Sequence, residues 1–198
     1  GGCLTREHLD LPLDFDSLKS VGAMVGSGGL VVMNDKTCMV NVARFFLEFT
    51  QRESCGKCVP CREGTDQMLT MLNYIVEGRA TLKTLENLED LAKAVQKASL
   101  CALGKTAPNP VLSTLKHFKE EYLAHVVDKR CPAGVCKALA RFEIRENKCK
   151  GCGMCKRACP VQAISGEVGK PHHIDPKKCI KCGGCKSTCK FGAVVTGA

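Results

Sequence analysis

Residues 149–160 read Cys149-Lys150-Gly151-Cys152-Gly153-Met154-Cys155-Lys156-Arg157-Ala158-Cys159-Pro160, and residues 179–190 read Cys179-Ile180-Lys181-Cys182-Gly183-Gly184-Cys185-Lys186-Ser187-Thr188-Cys189-Lys190. The first stretch has the C-x2-C-x2-C-x3-C-P spacing by which thiolates ligate cubane iron-sulfur clusters. The second repeats it roughly thirty residues on, with Lys190 in place of the proline, which loosens that turn but removes no ligand. In this pattern the fourth cysteine of each run serves the cluster of the other. One 4Fe-4S cluster then takes Cys149, Cys152, Cys155 and Cys189; a second takes Cys179, Cys182, Cys185 and Cys159. Paired zinc ribbons would use two C-x2-C pairs per ion and leave cysteines over.

Short apolar stretches flank each run: residues 142–145 and Ile164 about the first, His173-Ile174 and Val194-Val195 about the second. Strand, cysteine run and strand, twice over, is an internal repeat. Residues 166–169 make the turn between its halves. The expectation for residues 141–198 is a two-cluster ferredoxin domain.

The chain has 16 cysteines in 198 residues. Clustered C-x2-C spacings without a signal-peptide pattern point to metal rather than to a secreted disulfide framework. The compartment read from this is reducing and cytoplasmic. A composition 44% hydrophobic and 25% charged is that of a soluble protein, and no apolar run reaches the length of a membrane span. Gly1 in place of a methionine reads as the start of a fragment.

A formal charge of +9 would suit a nucleic-acid partner. Bound cysteines are thiolates, however, and each 4Fe-4S cluster with its four thiolates adds about −2. Three clusters, as argued below, bring +9 to about +3. Tryptophan is absent and the other aromatics are few, which leaves little to stack on bases.

Upstream, residues 37–127 are helical in pattern. Val40, Ala43, Phe46 and Leu47 recur at helical spacing, as do Met68, Leu69, Leu72, Ile75 and Val76. Leu82, Leu85, Leu88, Leu91 and Val95 make a third stripe, and Val111, Leu115, Phe118, Tyr122 and Val126 a fourth after Pro108-Asn109-Pro110. The expectation is a four-helix bundle, followed by a linker at residues 128–140. Residues 1–36 are Gly-rich, with apolar runs at 21–25 and 30–33 that read as strands about a turn at Gly26-Ser27-Gly28-Gly29. That turn lacks the Lys-Ser/Thr of a P-loop. The fold class is α+β.

A second constellation, Glu53-Ser54-Cys55-Gly56-Lys57-Cys58-Val59-Pro60-Cys61-Arg62-Glu63-Gly64, lies between two helices and supplies three thiolates in seven residues. A cubane needs four, and Cys101, at the end of the third helix, is the candidate for the fourth. The alternatives are a C-x2-C redox pair or a three-cysteine zinc site.

Ser54 to Gly64, with a cysteine forty residues later, resembles the cluster-binding domain of the NADH-oxidising flavin subunit of respiratory complex I, a type also found in NAD-dependent hydrogenases and formate dehydrogenases. Leu11-Pro12-Leu13-Asp14-Phe15-Asp16 and Gly26 to Leu30 resemble the end of that subunit's SLBB domain, a β-grasp module. This likeness covers residues 1–127. An added ferredoxin domain resembles the beta subunit of NAD(P)-reducing and electron-bifurcating iron-only hydrogenases. The resemblance implies FMN and NAD(P) sites in an upstream domain outside these residues. It further implies a hydrogenase catalytic subunit and a small 2Fe-2S thioredoxin-like subunit as partners, with ferredoxin as external carrier.

Cys3, Cys38, Cys131 and Cys136 remain. Cys131 and Cys136 with His125 offer three ligands within twelve residues, and zinc favours four. Cys38 is the candidate for the fourth, with Cys3 behind it. The plainer reading leaves Cys131 and Cys136 as reduced thiols and His125 as a helix-end residue favoured by the macrodipole. His172 and His173 read as surface residues in preference to groups that tune a cluster. His8 and His117 have no nearby ligand partners.

The function expected is an electron relay in an NAD(P)H-linked, electron-bifurcating hydrogenase, without a catalytic site of its own in these residues. The alternative is the same subunit type in a bifurcating formate dehydrogenase. From other classes come a structural or docking metal module and a nucleic-acid binder.

Overall fold

The computed structural model describes residues 1–197. The chain divides into two compact units, residues 1–129 and a second beginning at Arg130.

In the first unit, residues 1–36 contain a short helix, α1 (Phe15–Ser20), capped by Asp14, whose carboxylate accepts from Ser17 N–H at 2.7 Å. The stretches at 21–25 and 30–33 are not strands, contrary to the sequence expectation. Val32 is 85% exposed and Leu30 68%, so these runs have no sheet or core to pack on, and an unsupported strand pair is marginal in water. The turn at Gly26–Gly29 does form, closed by Gly28 N–H to Val25 C=O at 3.0 Å.

Helix α2 (Met39–Arg52) turns Met39, Val40, Ala43 and Leu47 inward. Its first N–H, on Met39, is satisfied at 3.0 Å by the Glu121 carboxylate. Helix α3 (Val59–Val76) has Pro60 in its first turn and buries Cys61, Thr65, Met68, Leu72 and Ile75 at the spacing of one face. Helix α4 (Leu82–Ala98) begins at a reciprocal Thr81–Thr84 capping box and buries Leu85, Leu88, Ala92 and Val95. A short helix, α5 (Ala102–Thr106), follows.

The fourth apolar stripe is divided between α6 (Asn109–His117) and α7 (Lys119–Val126), broken at Phe118, whose φ and ψ are −129° and 35°. Across the break the Thr114 and Tyr122 hydroxyls meet at 2.7 Å in full burial. The sequence pattern could not register this break, because the stripe stays in phase on both sides of it.

The second unit is two halves in the same order: β1 (Arg141–Ile144), α8 (Met154–Arg157) and β2 (Ile164–Ser165), then β3 (His173–Ile174), α9 (Gly184–Thr188) and β4 (Val194–Gly197). The outer strands pair antiparallel with Ile144 opposite Val194, and the inner strands with Ile164 opposite Ile174. Each half's strands thus pair with the other half, which ties the repeat into one body. Cys155, Ile164, Ile174, Cys185 and Val194 form its core. Each cysteine run enters its helix through a left-handed glycine, Gly153 (φ 70°) or Gly183 (φ 78°), a backbone conformation that side chains disfavour.

Candidate metal centres

In the second unit, one cavity is lined by Cys149, Cys152, Cys155 and Cys189, and another by Cys179, Cys182, Cys185 and Cys159. The fourth cysteine of each run therefore lines the cavity of the other run. Backbone N–H groups face these sulfurs: Ala163 N–H reaches Cys159 Sγ at 3.3 Å, and Lys181 N–H reaches Cys179 Sγ at 3.4 Å. Burial would push the Cys189 thiol up, but hydrogen bonds from the backbone N–H groups of Val194, Ala193, Phe191 and Gly192 hold it below the ordinary value. Burial raises the thiols of Cys155 and Cys185 at the centre of the unit. Such buried thiols are stable as thiolates only with positive charge beside them, which an iron core supplies.

In the first unit, Cys58 stands just before the N-terminus of α3, Cys61 in its first turn, and Cys101 just before α5. The backbone N–H of Leu100, and after it that of Cys61, hydrogen-bonds the Cys58 sulfur and lowers its thiol. The turn that carries Cys101 is thereby joined to the C-x2-C-x2-C run. Close packing enforces the join: a Cβ on Gly104 would come within 2.6 Å of Ser99 Cβ and 3.1 Å of Cys61 Cβ, so only glycine lets α5 seat there. Ser54 Oγ lies 3.4 Å from Cys61 Sγ and accepts from Gly56 N–H. The N-terminal end of α3, with its unpaired N–H groups, favours negative charge at this spot.

Among the described residues, two buried side-chain polar atoms have no hydrogen-bond partner, Ser99 Oγ and His172 Nδ1. Ser99 packs beside Cys61 and two residues before Cys101; His172 lines the Cys149 cavity. Buried polar groups are nearly always paired. Their position at two of the cysteine sites fits a polar, sulfur-rich group there.

The leftover cysteines also converge. The ligand atoms of Cys38, His125, Cys131 and Cys136 all lie within 4.8 Å of one another, and all four residues are buried. Cys38 Sγ is 3.3 Å from His125 Nε2, while His125 Nδ1 donates to the Glu121 carbonyl at 2.7 Å. That bond fixes the tautomer and leaves Nε2 as the electron-pair donor, as in histidines that ligate metal. Cys3 lies outside the quartet, its N–H on Ser113 Oγ at 3.0 Å.

Sequence reasoning missed Ser99 and misjudged His172, which is only 3% exposed, whereas His173 is exposed as expected. The repeat offset would have found His172, since it occupies the position of Phe142 in the other half. His8 and His117 meet edge to face, their ring centroids 6.4 Å apart.

Comparison with known proteins matches residues 41–125 to the NADH-ubiquinone oxidoreductase-F iron-sulfur binding region, and residues 142–165 and 172–195 to the 4Fe-4S binding domain. The NADP-reducing hydrogenase subunit HndC of Solidesulfovibrio fructosivorans is 48% identical over 172 residues, 87% of this chain and 35% of that protein. The F-type subunit of the NADH-quinone oxidoreductase of Mycobacterium tuberculosis (strain ATCC 25618 / H37Rv) is 43% identical over 129 residues, 65% of this chain and 29% of that one. A crystal structure of an NAD+-reducing [NiFe]-hydrogenase in the air-oxidised state superposes with a TM-score of 0.57 at 34% identity, over 64% of this chain and 22% of that chain. The chain spans about a third of the length of these curated relatives. No helix among the described residues is long and apolar enough to cross a membrane. The chain thus joins a segment that matches the NADH-ubiquinone oxidoreductase-F iron-sulfur binding region to one that matches the 4Fe-4S binding domain, and the relatives it resembles are subunits of an NADP-reducing hydrogenase and of an NADH-quinone oxidoreductase.

Proposed function

We propose that this chain is a three-cluster electron relay within an NAD(P)H-linked flavoprotein subunit of a multisubunit hydrogenase. Cys55, Cys58, Cys61 and Cys101 would hold one 4Fe-4S cluster in the helical unit. Cys149, Cys152, Cys155 and Cys189 would hold a second, and Cys179, Cys182, Cys185 and Cys159 a third. The observation that carries this reading is the pair of cavities, each lined by three cysteines of one run and the fourth of the other.

When bound, each cluster supplies a one-electron redox couple. The chain's own residues do the rest. Thiolates would anchor the iron, and the N–H groups at Cys58, Cys159, Cys179 and Cys189 would lend positive potential to the sulfurs. Cys38, His125, Cys131 and Cys136 would hold a structural zinc, since three thiols and one oriented imidazole match its tetrahedral preference.

FMN and NAD(P) would bind upstream of this region. A hydrogenase catalytic subunit, a small 2Fe-2S thioredoxin-like subunit and ferredoxin would be the partners, in a cytoplasmic, electron-bifurcating complex. The relative from Solidesulfovibrio fructosivorans, a subunit of an NADP-reducing hydrogenase, supports the hydrogenase setting over a formate dehydrogenase.

Anaerobic analysis should give about twelve iron and about one zinc per chain, with EPR signals that titrate reversibly. Colourless protein that holds zinc alone, or clusters that cannot be cycled between two redox states, would overturn the relay.

A further inference from the structure

The two cavities of the second unit follow one plan, and at one equivalent position of the repeat their lining rings differ in chemistry. Phe142 stands seven residues before Cys149 and lines the Cys179 cavity; His172 stands seven residues before Cys179 and lines the Cys149 cavity. Each ring faces the left-handed glycine of the run whose cavity it lines. A Cβ on Gly183 would lie 3.6 Å from Phe142 Cζ, and a Cβ on Gly153 would lie 3.9 Å from His172 Nε2. The internal repeat has placed a phenyl ring at one site and an imidazole at the other.

The imidazole is held firmly. A Cβ on Gly166 would come within 2.8 Å of His172 Cγ and 2.9 Å of its Cδ2, so glycine there leaves room for the ring. The side chain is 3% exposed, and its Nδ1 is buried with no hydrogen-bond partner. Ring nitrogen stripped of water is stable only if something at the site pairs with it. Among the described residues nothing pairs with that nitrogen, whereas the cavity the ring lines collects four cysteine sulfurs.

We propose that His172 donates an N–H hydrogen bond to a sulfur of the iron-sulfur cluster held by Cys149, Cys152, Cys155 and Cys189, and so sets that cluster's reduction potential above its neighbour's. The proposal rests on the relay reading. A donor at sulfur stabilises the reduced, more negative state and raises the potential. Phe142 has no donor to give the other site. The electron therefore rests preferentially on the His172 side, which gives the pair a direction that the symmetric cysteine runs alone would not.

The test is an EPR-monitored redox titration of the full chain loaded with iron and sulfide. His172→Phe, which copies the other site, should lower one midpoint by about tenfold in the reduction equilibrium, ~59 mV for one electron, and leave the other unchanged. His172→Gln, which retains an N–H, should restore part of the shift. Phe142→His should raise the other midpoint. Unmoved potentials in His172→Phe at full iron content overturn the proposal. If that variant fails to load, the native chain labelled with ¹⁵N in histidine decides: pulsed EPR of the reduced protein detects a histidine nitrogen coupled to one ferredoxin-type cluster, or the proposal falls. A native chain that takes up no iron overturns the relay reading itself, a result distinct from iron-loaded protein with unmoved potentials.

Discussion

Cys38 Sγ and His125 Nε2, 87 positions apart in sequence, lie 3.3 Å from one another in full burial. The Glu121 carbonyl holds the far side of the ring and the Glu121 carboxylate caps α2 at the residue after Cys38, so one residue orients both members of the pair. Zinc bound here should survive treatment that strips iron, because its ligands are buried, and His125→Ala should lose it. That variant should also lose more than ~2 kcal/mol of stability, since three buried thiols would be left without their ion. Zinc content and denaturant midpoint measured together check this. Iron-loaded native protein without zinc would refute the site.

Tyr122 gives a pH prediction. Burial raises its phenol above the ordinary value, despite the hydrogen bond with Thr114. A group whose pKa is higher in the folded chain adds stability that is complete below its unfolded pKa, about 10, and is lost as pH climbs toward the folded value. The first unit should therefore weaken with rising alkalinity from about pH 10 upward. Tyr122→Phe should cost ~1 kcal/mol at neutral pH, through the lost hydrogen bond, and should flatten the alkaline decline. Denaturant midpoints at neutral and alkaline pH for both proteins would show a difference that narrows, or the argument fails.

How far these features could be read in advance depends on how local their causes are. Thiolate spacing is a local property, and so the runs at 149–159 and 179–189 announce their chemistry, as does Cys55 to Cys61. Cys101 could be proposed as a partner of Cys55, Cys58 and Cys61 because it follows the third apolar stripe, at a helix end. The strands expected at 21–25 and 30–33 were not, because a strand exists only with an edge to pair and a surface to cover. The break at Phe118 was hidden by an apolar pattern that stays in phase across it. His172 looked like half of an exposed His-His pair; only the fold shows that Gly166 makes room for one ring and leaves the other in water.

Gly104→Ala tests the joint in the helical unit. The added methyl would meet Ser99 and Cys61 at 2.6 and 3.1 Å, and it must push α5 away from α3. Overpacking of this kind costs ~1–3 kcal/mol. Its more specific effect should be on Cys101, which stands at the start of α5. Iron should fall from about twelve to about eight per chain, with the signals of the two ferredoxin-type clusters retained. Full iron content in this variant would mean that Cys101 is not the fourth ligand, or that α5 can shift without cost.

The crossed lining of the two cavities yields the sharpest separation of outcomes. If Cys189 serves the Cys149 cavity, then Cys189→Ser and Cys152→Ser damage the same cluster, while Cys159→Ser and Cys182→Ser damage the other. If each run instead serves itself, the pairs recombine: Cys189→Ser groups with Cys182→Ser, and Cys159→Ser with Cys152→Ser. The four variants need no prior assignment of signals, because only their grouping is read from the EPR spectra. Serine preserves the volume of the thiol and tests ligation more than packing.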